Sequence, residues 1–175
     1  PQGAKPAGFL LTEGPSGLAG FPVVNFTGDF ADGVRVRLTT PDTVRIQSNY
    51  LGVAPDGSAA PNGDGIDAGY SLSSVIVGGT TAVSRNVISA NQHNGITCAD
   101  ASLTVLGNYV GTDPTGLASF TVPAPSSGIV GHGVDVQVGG TTAGSRNLIS
   151  GNYMGLEFFS EAIDGLLVQG NYFGT

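Results

Sequence analysis

The apolar residues of this chain occur in short runs rather than in long periodic stretches. Pieces such as SVIVGG, NVISAN, LTVLGN, VDVQVGG and NLISGN hold a few β-branched or aliphatic residues and end in glycine or asparagine. No segment keeps apolar residues three and four apart over three turns, as an amphipathic helix would require. The pattern therefore predicts an all-β protein built from short strands and sharp turns.

Two independent motifs recur with the same period. The segment VGGTTAVSRNVISAN, which begins at Val77, returns with three changes as VGGTTAGSRNLISGN, which begins at Val138. The segments RIQSNYLG, TVLGNYVG and LLVQGNYFG contain Asn49, Asn108 and Asn171, which are 59 and 63 residues apart. These intervals are close to the 61 residues that separate the two copies of the first motif. A shared period near sixty indicates a solenoid, in which each layer buries its apolar face against the next.

Asparagine is the residue that the pattern places at the corners of the solenoid. It tolerates left-handed φ, and its side-chain amide can bond to the equivalent corner of the next coil, which builds a ladder. With roughly twenty residues per coil, the period would hold about three coils and the chain about eight, over about 40 Å. The predicted structural corners are Asn49, Asn86, Asn91, Asn108, Asn147, Asn152 and Asn171.

The aliphatic residues beside these corners are predicted to form a stacked core, and the polar segments between them to form loops. VAPDGSAAPNGDGI and TDPTGLASFTVPAPSSGI occupy equivalent places in the period and are rich in Pro, Gly, Ser and Asp, which is typical of long surface loops. The core residues predicted from the recurrence are Val77, Ile88, Leu106, Val138, Ile149 and Val168.

The repeated motifs resemble a known family. VGGTTAGSRNLISGN, LGNYVGTDPTG, and GI or GV starts at Gly33, Gly65, Gly95, Gly128 and Gly133 are similar to the right-handed parallel β-helix repeats of large secreted and cell-surface proteins. The resemblance implies a right-handed parallel β-helix over residues 33–175. Residues 1–32 fall outside it and are predicted to be a non-repeat N-terminal segment for capping or strand exchange.

Composition excludes several classes of protein. The chain has 175 residues, a net charge of −7, one lysine and five scattered arginines, so it lacks the basic surface that nucleic acids require. No run of apolar residues is long enough to span a membrane. The single cysteine, Cys98, cannot form an internal disulfide and is expected to be a small buried hydrophobe.

One fragment suggests catalysis. GHG at residues 131–133 resembles a motif of the polygalacturonases, in which it accompanies an Asn-Thr-Asp, two adjacent aspartates and a later Arg-Ile-Lys. This chain has none of these partners, and glycoside hydrolysis needs two carboxylates at a controlled separation. We therefore interpret His132 as a surface turn residue and predict no catalytic residue.

The acidic residues offer only weak candidates for a metal. Asp56, Asp64 and Asp67 form the best local group of oxygen ligands, but they lack the spacing of a Ca²⁺ loop and the bidentate glutamate that closes one. Asp29 and Asp32 are weaker candidates still. We predict solvated turns, no metal and no cofactor, with Ca²⁺ at the first group as the alternative.

Recurrent arginines, recurrent tyrosines and one glycosylation sequon are further candidate residues. Arg85 and Arg146 each precede a corner asparagine, which indicates a structural contact across coils. Tyr50, Tyr109 and Tyr172 also recur; they could stack on sugar rings, but packing beneath the long loops is favoured. Asn25 begins the N-glycosylation sequon NFT.

These observations predict a structural protein. The chain is interpreted as an extracellular or cell-surface solenoid unit of a filament or fibre that self-associates end to end, with attached or bound glycans. The basis for assembly is that QGNYFGT stops inside a repeat and would leave an open strand edge, while the apolar N-terminal segment could add to such an edge. The alternative is a carbohydrate-active or glycan-binding β-helix, either a polysaccharide lyase or hydrolase or an adhesin module.

Overall fold

The structure is a computed structural model that describes residues 7–11, 17–20, 22–23, 31–69, 74–120, 126–132, 135–159 and 165–174. Within these residues the chain forms short strands and two short 3-10 helices, Ala82–Ser84 and Ala143–Ser145. None of the helices among the described residues has the length and apolar character needed to cross a membrane. The strands are β1 (Ala7–Leu11), β2 (Gly17–Ala19), β3 (Pro22–Val23), β4 (Asp32–Val36), β5 (Thr43–Gln47), β6 (Tyr50–Leu51), β7 (Ile66–Ala68), β8 (Ser74–Gly78), β9 (Val87–Ile88), β10 (Ile96–Ala99), β11 (Ser102–Leu106), β12 (Tyr109–Val110), β13 (Ser127–His132), β14 (Asp135–Gly139), β15 (Leu148–Ile149), β16 (Met154–Phe158), β17 (Gly165–Gln169) and β18 (Tyr172–Phe173).

These strands build a parallel β-solenoid with three faces. Every third strand joins the same sheet, so sheet A holds β1, β4, β7, β10, β13 and β16, and sheets B and C follow in the same way from β2 and β3. All pairings between neighbouring strands of the three sheets are parallel. Each coil contributes one strand to each sheet. We number the coils 1 to 6, from β1–β3 to β16–β18.

The described strands thus form six coils, and the expectation of about eight was wrong. In sheet A, Phe9 pairs with Val34 of the next coil, and Ile96 pairs with Ile129 of the coil that follows it. Both spacings exceed the twenty residues assumed for a coil, because a coil includes its loops. The sequence period near sixty therefore spans two coils rather than three.

Coil 1 lies within the segment that we expected to stand outside the repeat. β1, β2 and β3 pair with β4, β5 and β6 of coil 2 in the same parallel arrangement as later coils. Parallel pairing joins backbone groups and does not require the asparagine and glycine motifs. The solenoid consequently begins before residue 33.

The two-coil period comes from an alternation of loops. Coils 2 and 4 turn tightly from sheet B to sheet C and carry the long loops between sheets C and A, whereas coils 3 and 5 place their 3-10 helices between sheets B and C. Loops of the same kind meet two coils apart: a side chain on Gly57 would touch Pro114, and one on Gly144 would collide with the backbone of Thr80. Each loop type thus packs on its own kind, which explains why the sequence repeats every second coil.

The core is a stack of aliphatic side chains enclosed by the three sheets. Val77, Ile88, Val138 and Ile149 are buried as predicted, and Cys98 is buried as well. The prediction was wrong for two residues. Leu106 is only half-buried because alternation along β11 points it outward, and Val168 is 38% exposed because it lies in coil 6, at the end of the described stack.

Candidate functional site

The most continuous polar feature of the molecule is a ladder of five asparagines at the corner between sheets B and C. The side-chain nitrogen Nδ2 of each residue donates to Oδ1 of the next, at distances of 2.9 to 3.1 Å. The backbone N–H of each also donates to that same oxygen. We call these residues the asparagine ladder: Asn49, Asn86, Asn108, Asn147 and Asn171.

The asparagine ladder also fastens each corner to the preceding coil. Nδ2 of Asn108 donates to the carbonyl oxygen of Val77 at 2.9 Å, and Nδ2 of Asn147 donates to that of Val105 at 2.8 Å. The residue after the asparagine adds a backbone hydrogen bond to the preceding coil: the N–H of Tyr109 donates to the carbonyl oxygen of Asn86. A single amide thus satisfies backbone groups of two neighbouring coils.

At three of the five corners a left-handed residue directly precedes the asparagine, whereas Arg85 and Arg146, before the other two, have extended backbone; this corrects our expectation that asparagine itself is left-handed. Ser48, Gly107 and Gly170 have φ values of 62°, 69° and 71°, and they directly precede Asn49, Asn108 and Asn171. No asparagine among the described residues has a positive φ. The conformation that turns the chain and the side chain that bonds the coils are therefore supplied by two adjacent residues.

The corner between sheets C and A holds the other predicted asparagines. Nδ2 of Asn91 donates to the carbonyl oxygen of Leu51, and Nδ2 of Asn152 donates to that of Val110. Oδ1 of Asn91 accepts from the backbone N–H of Asn62 at 3.3 Å. Asn91 and Asn152 thus fasten coils 3 and 5 to the coils before them.

A second ladder, which the sequence analysis missed, runs along the start of sheet A. Oδ1 of Asp32 accepts from the backbone N–H of Asp64, Oδ1 of Asp64 from that of Asn94, and Oδ1 of Asn94 from that of Ser127. By the register of sheet A the four residues occupy equivalent positions, with Asp32 and Ser127 at the first residue of their strands and Asp64 and Asn94 two residues before theirs. Different residue types fill the position, so sequence repetition gives no signal for it. We call this set the acidic ladder.

Buried ion pairs adjoin the acidic ladder. Arg35 donates to Asp32 through Nε at 3.0 Å and approaches a carboxylate oxygen of Asp67 at 3.5 Å. Arg37 pairs with the same oxygen of Asp67. The Arg35 and Asp32 side chains are only 6% and 4% exposed, whereas Arg37 is 27% exposed. Two guanidinium groups and three carboxyls therefore share a face of the solenoid that has little access to solvent.

The three carboxyls differ in protonation because their surroundings differ. Burial raises the pKa of Asp32 to about 6, against the opposing hydrogen bond from Arg35. Burial also raises the pKa of Asp64. For Asp67, burial is outweighed by the hydrogen bonds from Arg37 and Gly69, so its pKa is lowered, and its carboxyl shares a hydrogen bond with Asp32. Burial thus favours the protonated form of Asp32 and Asp64, whereas the hydrogen bonds of Asp67 favour its carboxylate.

The structure separates the predicted acidic candidates. Asp64 and Asp67 lie in this cluster, where Asp64 also accepts from the hydroxyl of Thr97 at 2.7 Å. Asp56 lies in the loop after β6 and accepts from the N–H and hydroxyl of Ser58, a local turn that lowers its pKa. Asp32, which looked weaker in sequence, is the residue that joins Asp64 and Asp67. No group of His, Cys, Asp and Glu side chains suited to a metal ion occurs among the described residues.

His132 lies at the exposed end of β13. Its ring stacks on that of Phe159 with centroids 4.3 Å apart. Phe159 is itself 45% exposed. The structure thus places an exposed aromatic pair at this position.

The recurrent arginines and tyrosines contact each other across coils, which confirms the expected structural contact for both arginines. The guanidinium of Arg85 lies 4.1 Å from the ring centroid of Tyr109, and its Nε donates to the carbonyl oxygen of Gly107. Arg146 lies over Tyr172 and donates to its hydroxyl at 2.8 Å. Tyr109 also packs beneath the loop at Gly116, as predicted for this tyrosine.

Coil 6 presents an apolar face. Leu166, Val168 and Phe173 pair in register with the buried residues Val136, Val138 and Ile149, so they point toward the core axis. Yet Leu166 and Phe173 are 49% and 48% exposed. We call this surface the coil 6 face. It continues the core of the solenoid to the surface of the described structure.

Three residues named in the sequence analysis, Asn25, Asp29 and Gly133, lie outside the described residues. No known protein family, curated protein or solved structure matches this chain. The candidate functional surfaces therefore follow from geometry alone: the asparagine ladder, the acidic ladder with its ion pairs, and the coil 6 face.

Proposed function

We propose that this chain is a structural solenoid unit of an extracellular filament or cell-surface fibre, of the kind found in large secreted repeat proteins, and that it assembles end to end. The observation that carries the proposal is the coil 6 face, where the core-facing residues Leu166, Val168 and Phe173 are 38% to 49% exposed. Burial of such apolar surface against a further coil is the main favourable contribution to stacking.

The arrangement of polar groups supports the same role. The asparagine ladder bonds coil to coil from coil 2 to coil 6, and its members in coils 2 to 5 are at most 1% exposed. Side chains engaged in these bonds stiffen the axis of the solenoid and face no substrate. A rod with bonded layers suits a load-bearing or spacing role better than a chemical one.

The experiment is to image the purified protein by negative-stain electron microscopy and to measure its mass by sedimentation velocity at rising concentration. We expect rods that lengthen with concentration. Phe173→Glu should shorten or abolish them, because it places a charge in the stacking surface. Leu117→Glu is the matched control, since Leu117 is 89% exposed on a loop and should leave assembly unchanged.

Two results would refute the proposal. One is a wild-type protein that stays a monomer at the highest concentration reached. The other is a Phe173→Glu protein that is folded, as judged by circular dichroism, and still forms the same rods.

The second candidate function is glycan binding, and one observation favours it. His132 and Phe159 form an exposed stacked pair, and aromatic faces of this kind can pack on sugar rings. By contrast, the tyrosine faces at Tyr109 and Tyr172 have arginines over them. Titration with soluble oligosaccharides, followed by NMR shifts at these two rings and in a Phe159→Ala variant, tests this alternative. Shifts confined to loops elsewhere, or none, would count against it.

A further inference from the structure

The corner between sheets C and A has an equivalent asparagine in coils 2, 3 and 5. In each of these coils the side-chain amide packs against the glycine at the start of the strand in sheet A. The pairs are Asn62 with Gly33, Asn91 with Gly65 and Asn152 with Gly128, and a Cβ atom on the glycine would lie 2.9, 2.9 and 3.0 Å from the Nδ2 of its asparagine. The three amides therefore fill the same place in their coils.

Coil 4 has no such amide, because no asparagine occurs in the sequence between Asn108 and Asn147. The glycine of coil 4 at the same register position is Gly95. The nearest side-chain atom to a Cβ placed there would be Cγ1 of Val110, at 3.1 Å. An aliphatic group thus borders the place that a polar amide fills in the other coils.

A small cavity lies at this place. It has a volume of about 10 Å³ and is lined by residues from three successive corners, among them Asn91, Gly95, Ser126 and Asn152. A cavity of about this size holds one water molecule when polar groups surround it. None of the described residues that line it carries a carboxylate, so the lining favours a neutral ligand over a cation.

Two polar groups at the cavity have no partner among the described residues. Ser126 is 3% exposed, and its hydroxyl makes no hydrogen bond with these residues. In coil 3, Oδ1 of Asn91 accepts from the backbone N–H of Asn62. In coil 5, the hydrogen bonds of the Asn152 side chain to the described residues all come from Nδ2, so its Oδ1 accepts none of them. A buried hydroxyl without a partner is costly, and a ligand that both donates and accepts would satisfy both groups.

We infer that this cavity binds one water molecule, which replaces the amide that coil 4 lacks. Its partners are the hydroxyl of Ser126 and Oδ1 of Asn152. A third is the second Nδ2 hydrogen of Asn91, whose first is donated to the carbonyl oxygen of Leu51. The water links the corners of coils 3, 4 and 5 behind the long loop of coil 4. This binding site goes beyond the proposed function and does not depend on assembly.

Thr112 offers a comparison within the same molecule. It is 2% exposed, and its hydroxyl also has no partner among the described residues, but Thr112 does not line the cavity. Replacing an unpartnered buried hydroxyl by an apolar group of the same shape is neutral or stabilising. Removing a hydroxyl that holds a buried water is destabilising. Opposite effects are therefore expected at Thr112 and Ser126.

Oxygen-17 relaxation dispersion of the full protein tests the inference, because it counts water molecules that stay bound for longer than the protein takes to tumble. We expect Ser126→Val, which fills the cavity with methyl groups, to remove one of these waters. Thr112→Val is the matched control and should keep the wild-type count. In thermal unfolding, Ser126→Ala should lower the melting temperature, whereas Thr112→Val should leave it unchanged or raise it.

An unchanged count of long-lived waters in a folded Ser126→Val protein would overturn the inference. So would a higher melting temperature in Ser126→Ala, since the hydroxyl would then have no partner at all. A wild-type protein without any long-lived water would overturn it as well, so the inference stays testable if Ser126→Val does not fold. The proposed function is judged separately, by microscopy and sedimentation.

Discussion

Two ladders run along this solenoid, and they solve the same problem with different chemistry. The asparagine ladder uses one residue type at every coil, and each amide both donates and accepts. The acidic ladder passes from Asp32 to Asp64, Asn94 and Ser127, and its side-chain oxygens accept backbone N–H groups of the next coil. Both satisfy backbone donors where the chain enters a strand.

The difference lies in what each side chain costs when buried. An amide carries no charge and has both donors and an acceptor, so it can repeat without limit along a buried column. A carboxylate only accepts, and burying it requires a partner or a proton. Accordingly, Arg35 and Arg37 lie beside the acidic ladder and pair with its neighbour Asp67, and the pKa of Asp32 is raised. Repetition is favourable for buried asparagine and unfavourable for buried aspartate.

The largest expected effect comes from breaking the asparagine ladder at its middle. Asn108→Ala removes bonds to Val77, Leu106 and Asn147 and leaves the backbone N–H and one Nδ2 hydrogen of Asn86 without their acceptor. At about 1–3 kcal/mol for each buried group left unsatisfied, we expect a loss of about 4 kcal/mol in the free energy of unfolding. Urea denaturation followed by circular dichroism measures it.

The matched control for that substitution is Asn171→Ala, at the half-buried end of the same ladder. Its bonds reach only one described neighbour in the ladder, Asn147, and its own coil is exposed. We expect a loss of about 1 kcal/mol. Equal losses for the two variants would mean that the ladder is not a buried cooperative column.

The next effect concerns the ion pairs of the acidic ladder. Arg35→Met leaves Asp32 buried without its guanidinium partner, and we expect a loss of about 3 kcal/mol at pH 7. Arg37→Met, on the more exposed partner of Asp67, should cost less than about 1 kcal/mol. Thermal unfolding of the two variants side by side compares them. A larger loss of stability for Arg37→Met than for Arg35→Met would mean that burial does not determine the contribution of these ion pairs.

A pH titration separates the two ladders, because only one of them contains ionisable groups. The folded-state pKa of Asp32 is about 6, above its ordinary value of 3.8, so the folded protein holds the extra proton between those values. The free energy of unfolding should therefore rise by about 2 kcal/mol as pH falls from 7 to 4.5. Stability at lower pH is lost again through Asp67, whose pKa is lowered.

The variant Asp32→Asn serves as the control for that titration. It cannot take up the proton, so its stability should change much less over the same pH range. Asn108→Ala should keep the wild-type slope. A wild-type protein that loses stability steadily from pH 7 to 4.5 would contradict the assignment of a raised pKa to Asp32.

The smallest expected effect lies on the outer side of the asparagine ladder. Arg85→Ala removes the cation–π contact with Tyr109 and the bond to Gly107, and we expect a loss of about 1 kcal/mol. Arg45→Ala is the control, since Arg45 is an exposed residue of β5 whose side chain makes no hydrogen bond or ion pair with the described residues; we expect no measurable change. A loss at Arg45 equal to that at Arg85 would show that net charge, not the contact, decides.

The sequence predicted the structural features whose residues recur along the chain, but not those whose residue types differ from coil to coil. The recurrence of Asn49, Asn108 and Asn171 indicated a solenoid, and the structure is one. The coil length was wrong because like loops pack two coils apart, so the sequence period counts loop types and not coils. The acidic ladder was missed because its members share a register position but no residue type. Asp32 was undervalued because its partners, apart from Arg35, are distant in the chain.

The central claim is that buried asparagine side chains bond coil to coil in one column, and side-chain amide hydrogen exchange measured by NMR tests it most directly. We expect the Nδ2 protons of Asn86, Asn108 and Asn147 to exchange at least a thousandfold more slowly than those of a free amide. In the Asn108→Ala variant, the protection of Asn86 should fall, because its Nδ2 loses one of its two acceptors. Exchange of these protons at the rate of a free amide in the folded wild-type protein would contradict the account.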